Sequence, residues 1–166
     1  MTPLDCAREI TAYLKEACKE YDEVTTVRDG GQEFKEPISV YTGFLPKCGA
    51  AAAMRKQCPA IVVRPETVLD DKDESTVGIV AYVSVYDDDK SYAGETLYHL
   101  LEFIRMRLLS QNPVNDKILV APGMKTTVTD EQPFPQWLGF IEFDAYIPQP
   151  RQYRPDLIIG GKYGEK

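Results

Sequence analysis

The sequence predicts an α+β fold: a mixed or antiparallel central sheet with a long β-hairpin, packed by an N-terminal helix and a central amphipathic helix. Three observations carry this. Residues 76–86, Thr-Val-Gly-Ile-Val-Ala-Tyr-Val-Ser-Val-Tyr, are the densest run of β-branched and aromatic residues in the chain. Residues 91–111 hold the strongest amphipathic helix pattern, joined to that strand by Asp87-Asp88-Asp89. Only this helix separates the hairpin from the later strands, whereas a doubly wound parallel sheet needs strands and helices to alternate.

The N-terminal helix is read over 3–21. Thr2 can cap, Pro3 suits the first helical position, and Asp5 stands three residues after the cap. Ala7, Ile10, Leu14, Ala17 and Tyr21 then recur every three or four residues on one face. Asp29-Gly-Gly31 breaks the chain. Between 33 and 58 the pattern is weaker. Ile38–Tyr41 reads as a short strand and 43–46 as a turn, while the alanine-rich 49–57 stretch fits either a short helix or a loop.

Residues 59–69 and 76–86 form the hairpin, with a polar turn at 70–75. Pro65 removes a ladder donor, so its strand lies at an edge or bulges there. Val77, Ile79, Ala81, Val83 and Val85 share one face of the return strand. Val80, Tyr82 and Tyr86 share the other, so both faces are expected to be covered. Ser91 is the expected cap of the central helix, and Leu97, Leu100, Leu101, Ile104 and Leu108 form its stripe. The core scaffold is therefore Val77, Ile79, Val83, Leu97, Leu101, Ile104 and Leu108. Asn112-Pro113 stops the helix, short strands follow near 118–121 and 125–129, and 137–147 alternates as a last strand. One domain is expected over 1–150, with an extended tail over 151–166. That tail carries the apolar triplet Leu157-Ile158-Ile159, which either docks on a partner or packs back on its own domain.

Composition narrows the function. A formal charge of −7 argues against a phosphate-tracking surface. The chain lacks the run of about eighteen apolar residues that a membrane helix needs. Its first residues do not read as a signal peptide, so cytoplasmic folding is expected. Cys6, Cys18, Cys48 and Cys58 contain no Cys-x-x-Cys pair. Cys6 and Cys18 would stand roughly 18 Å apart on an intact helix, too far to share a zinc ion or a disulfide. Four reduced thiols are expected.

Candidate chemistry is sparse. His99 is the one histidine, beside the apolar stripe of its helix, and its plain reading is a helix surface residue. No nucleophile elbow, phosphate loop or dinucleotide fingerprint is present. Two acidic groups remain: Asp70, Asp71, Asp73 and Glu74, and Asp87, Asp88 and Asp89. They sit at opposite ends of one strand, roughly 36 Å apart at about 3.3 Å per residue, so they cannot build one cation site in a monomer. The expected reading is solvated turns that discourage edge aggregation, with no catalytic, metal or cofactor site.

Several segments, taken in order, resemble one family of tailed-phage and prophage proteins. They are Tyr41-Thr-Gly-Phe-Leu-Pro46, Ile61-Val-Val-Arg64, and Val83-Ser-Val-Tyr-Asp-Asp-Asp89 running into Leu97-Tyr-His-Leu-Leu-Glu-Phe-Ile-Arg-Met-Arg107. The closing pieces are Asp130-Glu-Gln-Pro-Phe-Pro-Gln-Trp-Leu-Gly139, the most distinctive of all, and Tyr146-Ile-Pro148. The likeness covers roughly 36–151 and is to tail terminator, or tail completion, proteins of the head-tail junction. It implies a non-enzymatic subunit that assembles into a ring, usually of six copies. Such a ring caps the tail tube, meets tube or sheath proteins and the head connector or neck, and lets DNA pass its lumen without specific binding. The implied location is the host cytoplasm during assembly and then the virion, with no membrane partner. A ring needs heterologous, closing contacts. The candidates are Asp70, Asp71 and Asp73 at the hairpin tip, Pro133, Phe134, Pro135 and Trp137 in the proline loop, and Leu157, Ile158 and Ile159 in the tail. An acidic lumen would repel DNA phosphates. The other readings are a head-completion or neck adaptor of the same junction and, more distantly, a small metal-dependent enzyme using the acidic turns. The 49–57 stretch and the extended C-terminus depart from the family pattern.

Overall fold

The computed structural model describes residues 1–20, 25–46 and 55–149. Helix α1 spans Pro3–Glu20. Its start is the reciprocal box expected from Thr2 and Asp5: the Asp5 amide donates to Thr2 Oγ1 at 3.1 Å, and the Thr2 amide donates to Asp5 Oδ2 at 3.0 Å. Ala7, Ile10, Leu14 and Ala17 are buried as the spacing predicts, and Cys6, Thr11 and Tyr13 widen that face. Tyr21 lies outside the described residues.

Strands β1 (Thr25–Asp29) and β2 (Gln32–Glu36) form a separate two-stranded hairpin. Asp29 pairs with Gln32 across Gly30 and Gly31, both at positive φ, as a two-residue hairpin turn requires. Strand β3 (Ser39–Thr42) is parallel to β4 (Ala60–Asp70), and β4 is antiparallel to β5 (Ser75–Tyr86). The last long strand, β8 (Gln136–Ile147), pairs with β5 along its whole length, from Ser75 opposite Ile147 to Tyr86 opposite Gln136. On its other side β8 carries β6 (Leu119–Val120) and β7 (Lys125–Val128) in succession. The mixed six-stranded sheet is thus ordered β3-β4-β5-β8, with β6 and β7 sharing the outer edge of β8.

The hairpin of β4 and β5 does not stand free, because β8 supports β5 to its tip. Among the described residues, what is open is the outer edge of β4 beyond Val63, where β3 ends. Pro65 falls in that stretch, next to a register shift between Pro65 and Thr67. The missing donor and the bulge therefore coincide with an unpaired edge, where both are tolerated.

Helices α1 and α2 (Glu95–Ser110) cover the same face of the sheet. Val77, Ile79, Val83, Leu97, Leu101, Ile104 and Leu108, all expected in the core, are each at most 2% exposed. They share one cluster with Ile10, Leu14, Ile61, Val63, Ile141 and Phe143. The Tyr13 hydroxyl donates to the carbonyl of Arg107 at 2.8 Å and ties α1 to α2.

One expectation holds only in part and one needs correction. The opposite sheet face is covered over Val62, Val80 and Ser84, all buried, but among the described residues neither α1 nor α2 lies over it. Val62 and Val80 are shielded there by long neighbours: the Arg64 guanidinium lies 4.1 Å from the Phe44 ring centroid and 4.7 Å from that of Tyr82. Nor does Ser91 cap α2. Asp89 accepts from both the amide and the hydroxyl of Ser91, which commits residues 90–92 to a 3₁₀ turn ending in Ala93 at φ 47°. The helix starts after Gly94, at φ 74° and directly beneath the Trp137 ring, where an added Cβ would lie 2.8 Å from the indole. Of the alanine-rich stretch, residues 55–57 are helical and 49–54 lie outside the described residues.

Candidate functional site

The candidate contact residues fall at opposite ends of one sheet. At the hairpin tip Asp70 is exposed and accepts from the Ser75 hydroxyl at 2.5 Å. The amide of Asp71 donates to the carbonyl of Glu74 at 2.9 Å, closing the turn. The Asp71 carbonyl in turn accepts from Gln149 Nε2 at 2.9 Å, so the chain leaving β8 is held against this tip. Asp73 completes the exposed acidic end. The proline loop sits at the far end, where Gln136 pairs with Tyr86. The register thus separates the tip from the loop by the length of β5, roughly 36 Å for eleven steps. Leu157, Ile158 and Ile159 lie outside the described residues.

The proline loop is held from several directions. Trp137 Nε1 donates to the Asp87 carbonyl at 2.9 Å, and the Asp87 amide donates to the Pro135 carbonyl at 2.9 Å. Phe134 packs edge-on against Trp137 with centroids 6.2 Å apart and stays 43% exposed. Lys90 Nζ stands 5.0 Å from the centre of its ring. Gln132 uses both ends of its amide on Leu138, accepting from the Leu138 amide and donating to its carbonyl. A side chain held this way presents Phe134 as a fixed apolar knob.

The Asp87–Asp89 turn is solvated at Asp89, as expected, but not at Asp87. Asp87 is fully buried. Arg28 Nη1 of the β1–β2 hairpin donates to its Oδ2 at 2.7 Å, and the amide of Asp89 donates to Oδ1 at 3.0 Å. Arg28 also stacks on Tyr92, 3.4 Å from the ring centroid, and is 3.7 Å from Glu33. Sequence reading missed this buried pair because Arg28 and Asp87 belong to segments far apart in the chain. The available signal was Gly30-Gly31, a hairpin turn that would have placed β1 and β2.

Among the described residues His99, exposed on α2, has one charged neighbour, Glu95, at 3.7 Å. Among the described residues no three of His, Cys, Asp and Glu are placed to hold one metal ion. Cys6, Cys18 and Cys58 are free thiols, and Cys48 lies outside the described residues. Burial pushes Cys6 and Cys18 up to about 11, and burial also raises Cys58, whose sulfur contacts the Ser84 hydroxyl. Raised thiols ionise late, so at pH 8 Cys6 and Cys18 are expected to alkylate about a hundredfold more slowly in the native protein than in urea. Mass spectrometry after timed iodoacetamide labelling checks this, and comparable native and unfolded rates would contradict it.

The open sheet face carries an apolar groove of about 540 Å³, lined chiefly by Phe44, Val62, Tyr82, Leu138 and Phe140 around Arg64. Tyr82 and Phe140 pack with centroids 5.9 Å apart. The Tyr82 hydroxyl donates to Glu66; that bond, and then burial, raises its phenol above the ordinary value. Sequence reading placed Tyr82 under a covering layer and so did not expect a groove.

The chain matches no protein-family model and no curated protein. Among the described residues no helix is long and apolar enough to cross a membrane.

Proposed function

We propose that the chain is a structural virion subunit. It forms a ring, with six copies as the family resemblance implies, that caps the phage tail tube and joins it to the head connector. The observation that carries this reading is the pairing of two unlike contact ends on one supported sheet. An exposed acidic turn, Asp70, Asp71 and Asp73, stands at one end. A pinned aromatic knob, Phe134 on Trp137, stands at the other. A ring subunit at a junction meets a different neighbour on each side, and heterologous contacts of that kind close a ring. The knob lies within 130–139, the segment most like the tail terminator family. The acidic tip suits a lumen through which DNA slides, since like charge prevents phosphates from lodging.

The test is assembly without the protein. Electron microscopy of such particles is expected to show overlong tails. Tails of normal length beside unjoined or leaking heads would instead assign the chain to head completion at the neck. Normal, joined virions would overturn both readings.

A further inference from the structure

We propose that the C-terminal segment docks in cis across the open sheet face, with Leu157, Ile158 and Ile159 seated in the groove beside Tyr82 and Phe140. This is independent of the ring reading. The groove is an apolar feature that the described residues leave uncovered on this face. Phe44 is 73% exposed and Leu138 40%, although both belong to a face that also holds the buried Val62 and Val80. An apolar patch of this kind on a sheet is ordinarily covered by something.

Three further observations select the occupant. The first is where the chain leaves the sheet. Ile147 ends β8 opposite Ser75, and Gln149, the last described residue, is bonded to Asp71 at the hairpin tip, just past the strand whose Leu138 and Phe140 line the groove. The second is reach. Phe140 lies seven strand steps back from Ile147, roughly 23 Å. The nine residues from Gln149 to Ile158 span up to roughly 30 Å when extended. That length suffices for a reversal at Pro148 and Pro150 followed by an extended run.

The third is the order of charges. Between the hairpin tip and the groove the open face carries Glu142 and Asp144 on β8; Asp144 pairs with Gly78, which has Thr67 of β4 on its other side, and Lys125 of β7 stands opposite Glu142. The tip itself adds Asp70, Asp71, Asp73 and Glu74 against Lys72. The tail sequence places Arg151 and Arg154 first and the apolar triplet after Asp156. A segment laid along the face from the tip thus passes its basic residues over the acidic stretch and delivers its apolar residues to the apolar one. Tethering holds it there at an effective concentration on the order of millimolar, which favours the cis site over a neighbour's.

The test uses the full chain with Cys48→Ser and two cysteine substitutions, Leu138→Cys and Ile158→Cys. Leu138 is 40% exposed, so replacing it leaves the core intact. Under mild oxidation an intramolecular disulfide is expected, at a rate independent of protein concentration. It should form at least about tenfold faster than in the matched Leu138→Cys, Lys166→Cys control, because docking raises the local thiol concentration. Adding Leu157→Ser and Ile159→Ser is expected to slow it to the control rate. Equal rates for the two pairs would overturn the proposal. So would disulfides formed only between copies, at a rate rising with concentration, which would make a second copy the occupant.

Discussion

Replacing Leu101 with Asp is expected to abolish the native fold rather than weaken it. Leu101 is 2% exposed, at the centre of the α2 stripe. A Cβ added to Gly139 of β8 would lie 2.8 Å from Leu101 Cδ1, so strand and helix are already in close contact there. The substitution removes a buried side chain, a change that costs about 2–5 kcal/mol even when Ala replaces Leu. It also leaves a carboxylate without a partner, at several kcal/mol more or an equivalent rise in its pKa. Together these reach the 5–15 kcal/mol that is the whole stability of an ordinary domain. Far-ultraviolet circular dichroism with thermal melting reads the outcome. Leu109→Asp is the control, since Leu109 is 54% exposed on the same helix and should change stability by no more than about 0.5 kcal/mol. A folded Leu101→Asp protein with an unshifted melting temperature would mean that α2 does not pack on this stripe.

Asp87→Ala is expected to be the most damaging change to a charged residue. It removes the partner of an Arg28 side chain that is only 16% exposed, and truncating one half of a buried pair costs about 3–5 kcal/mol. Arg28 keeps the Tyr92 ring and the more distant Glu33, which places the loss near the lower end of that range. At roughly 2–4 °C per kcal/mol for a domain of this size, the melting temperature should fall by about 10 °C. The double variant Arg28→Met, Asp87→Leu should lose less than Asp87→Ala alone, because no charge is then left stranded. If Asp87→Ala melts within a degree of the parent, the pair does not hold the β1–β2 hairpin to the domain.

Much of the fold was legible because it is written in local periodicity. The α1 face, the stripe of α2 and the alternation of β8 all follow from spacings of three to four or of two, and the described residues so marked are buried, although α2 begins four residues after its expected cap. The sequence proved misleading where side chains from distant segments decide the outcome. Val80 and Tyr82 look like the inner face of a covered strand, yet their shield is Arg64 held between Phe44 and Tyr82. Ser91 looks like a helix cap, yet Asp89 holds it in a turn. Asp87 looks like one of three solvated acids, and its burial depends on an arginine from another hairpin. The candidate contact residues fared similarly. Turn-forming residues revealed the tip and the proline loop, whereas the groove between β4, β5 and β8 exists only once the register is set.

The β5–β8 ladder also sets the order in which the chain can fold. β4 and β5 meet across a short turn, so their hairpin can zip as soon as both are free. The partner of β5 on its other side is the last strand: Ser75 meets Ile147 and Tyr86 meets Gln136. The loop between them includes all of α2, β6 and β7. Closing a loop of that length costs entropy before any ladder contact is gained, and folds dominated by such distant pairings form in milliseconds to seconds rather than microseconds. During synthesis the apolar edge of β5 waits until residue 147 has emerged, so the step that completes the sheet is also the step that ends its exposure to other chains.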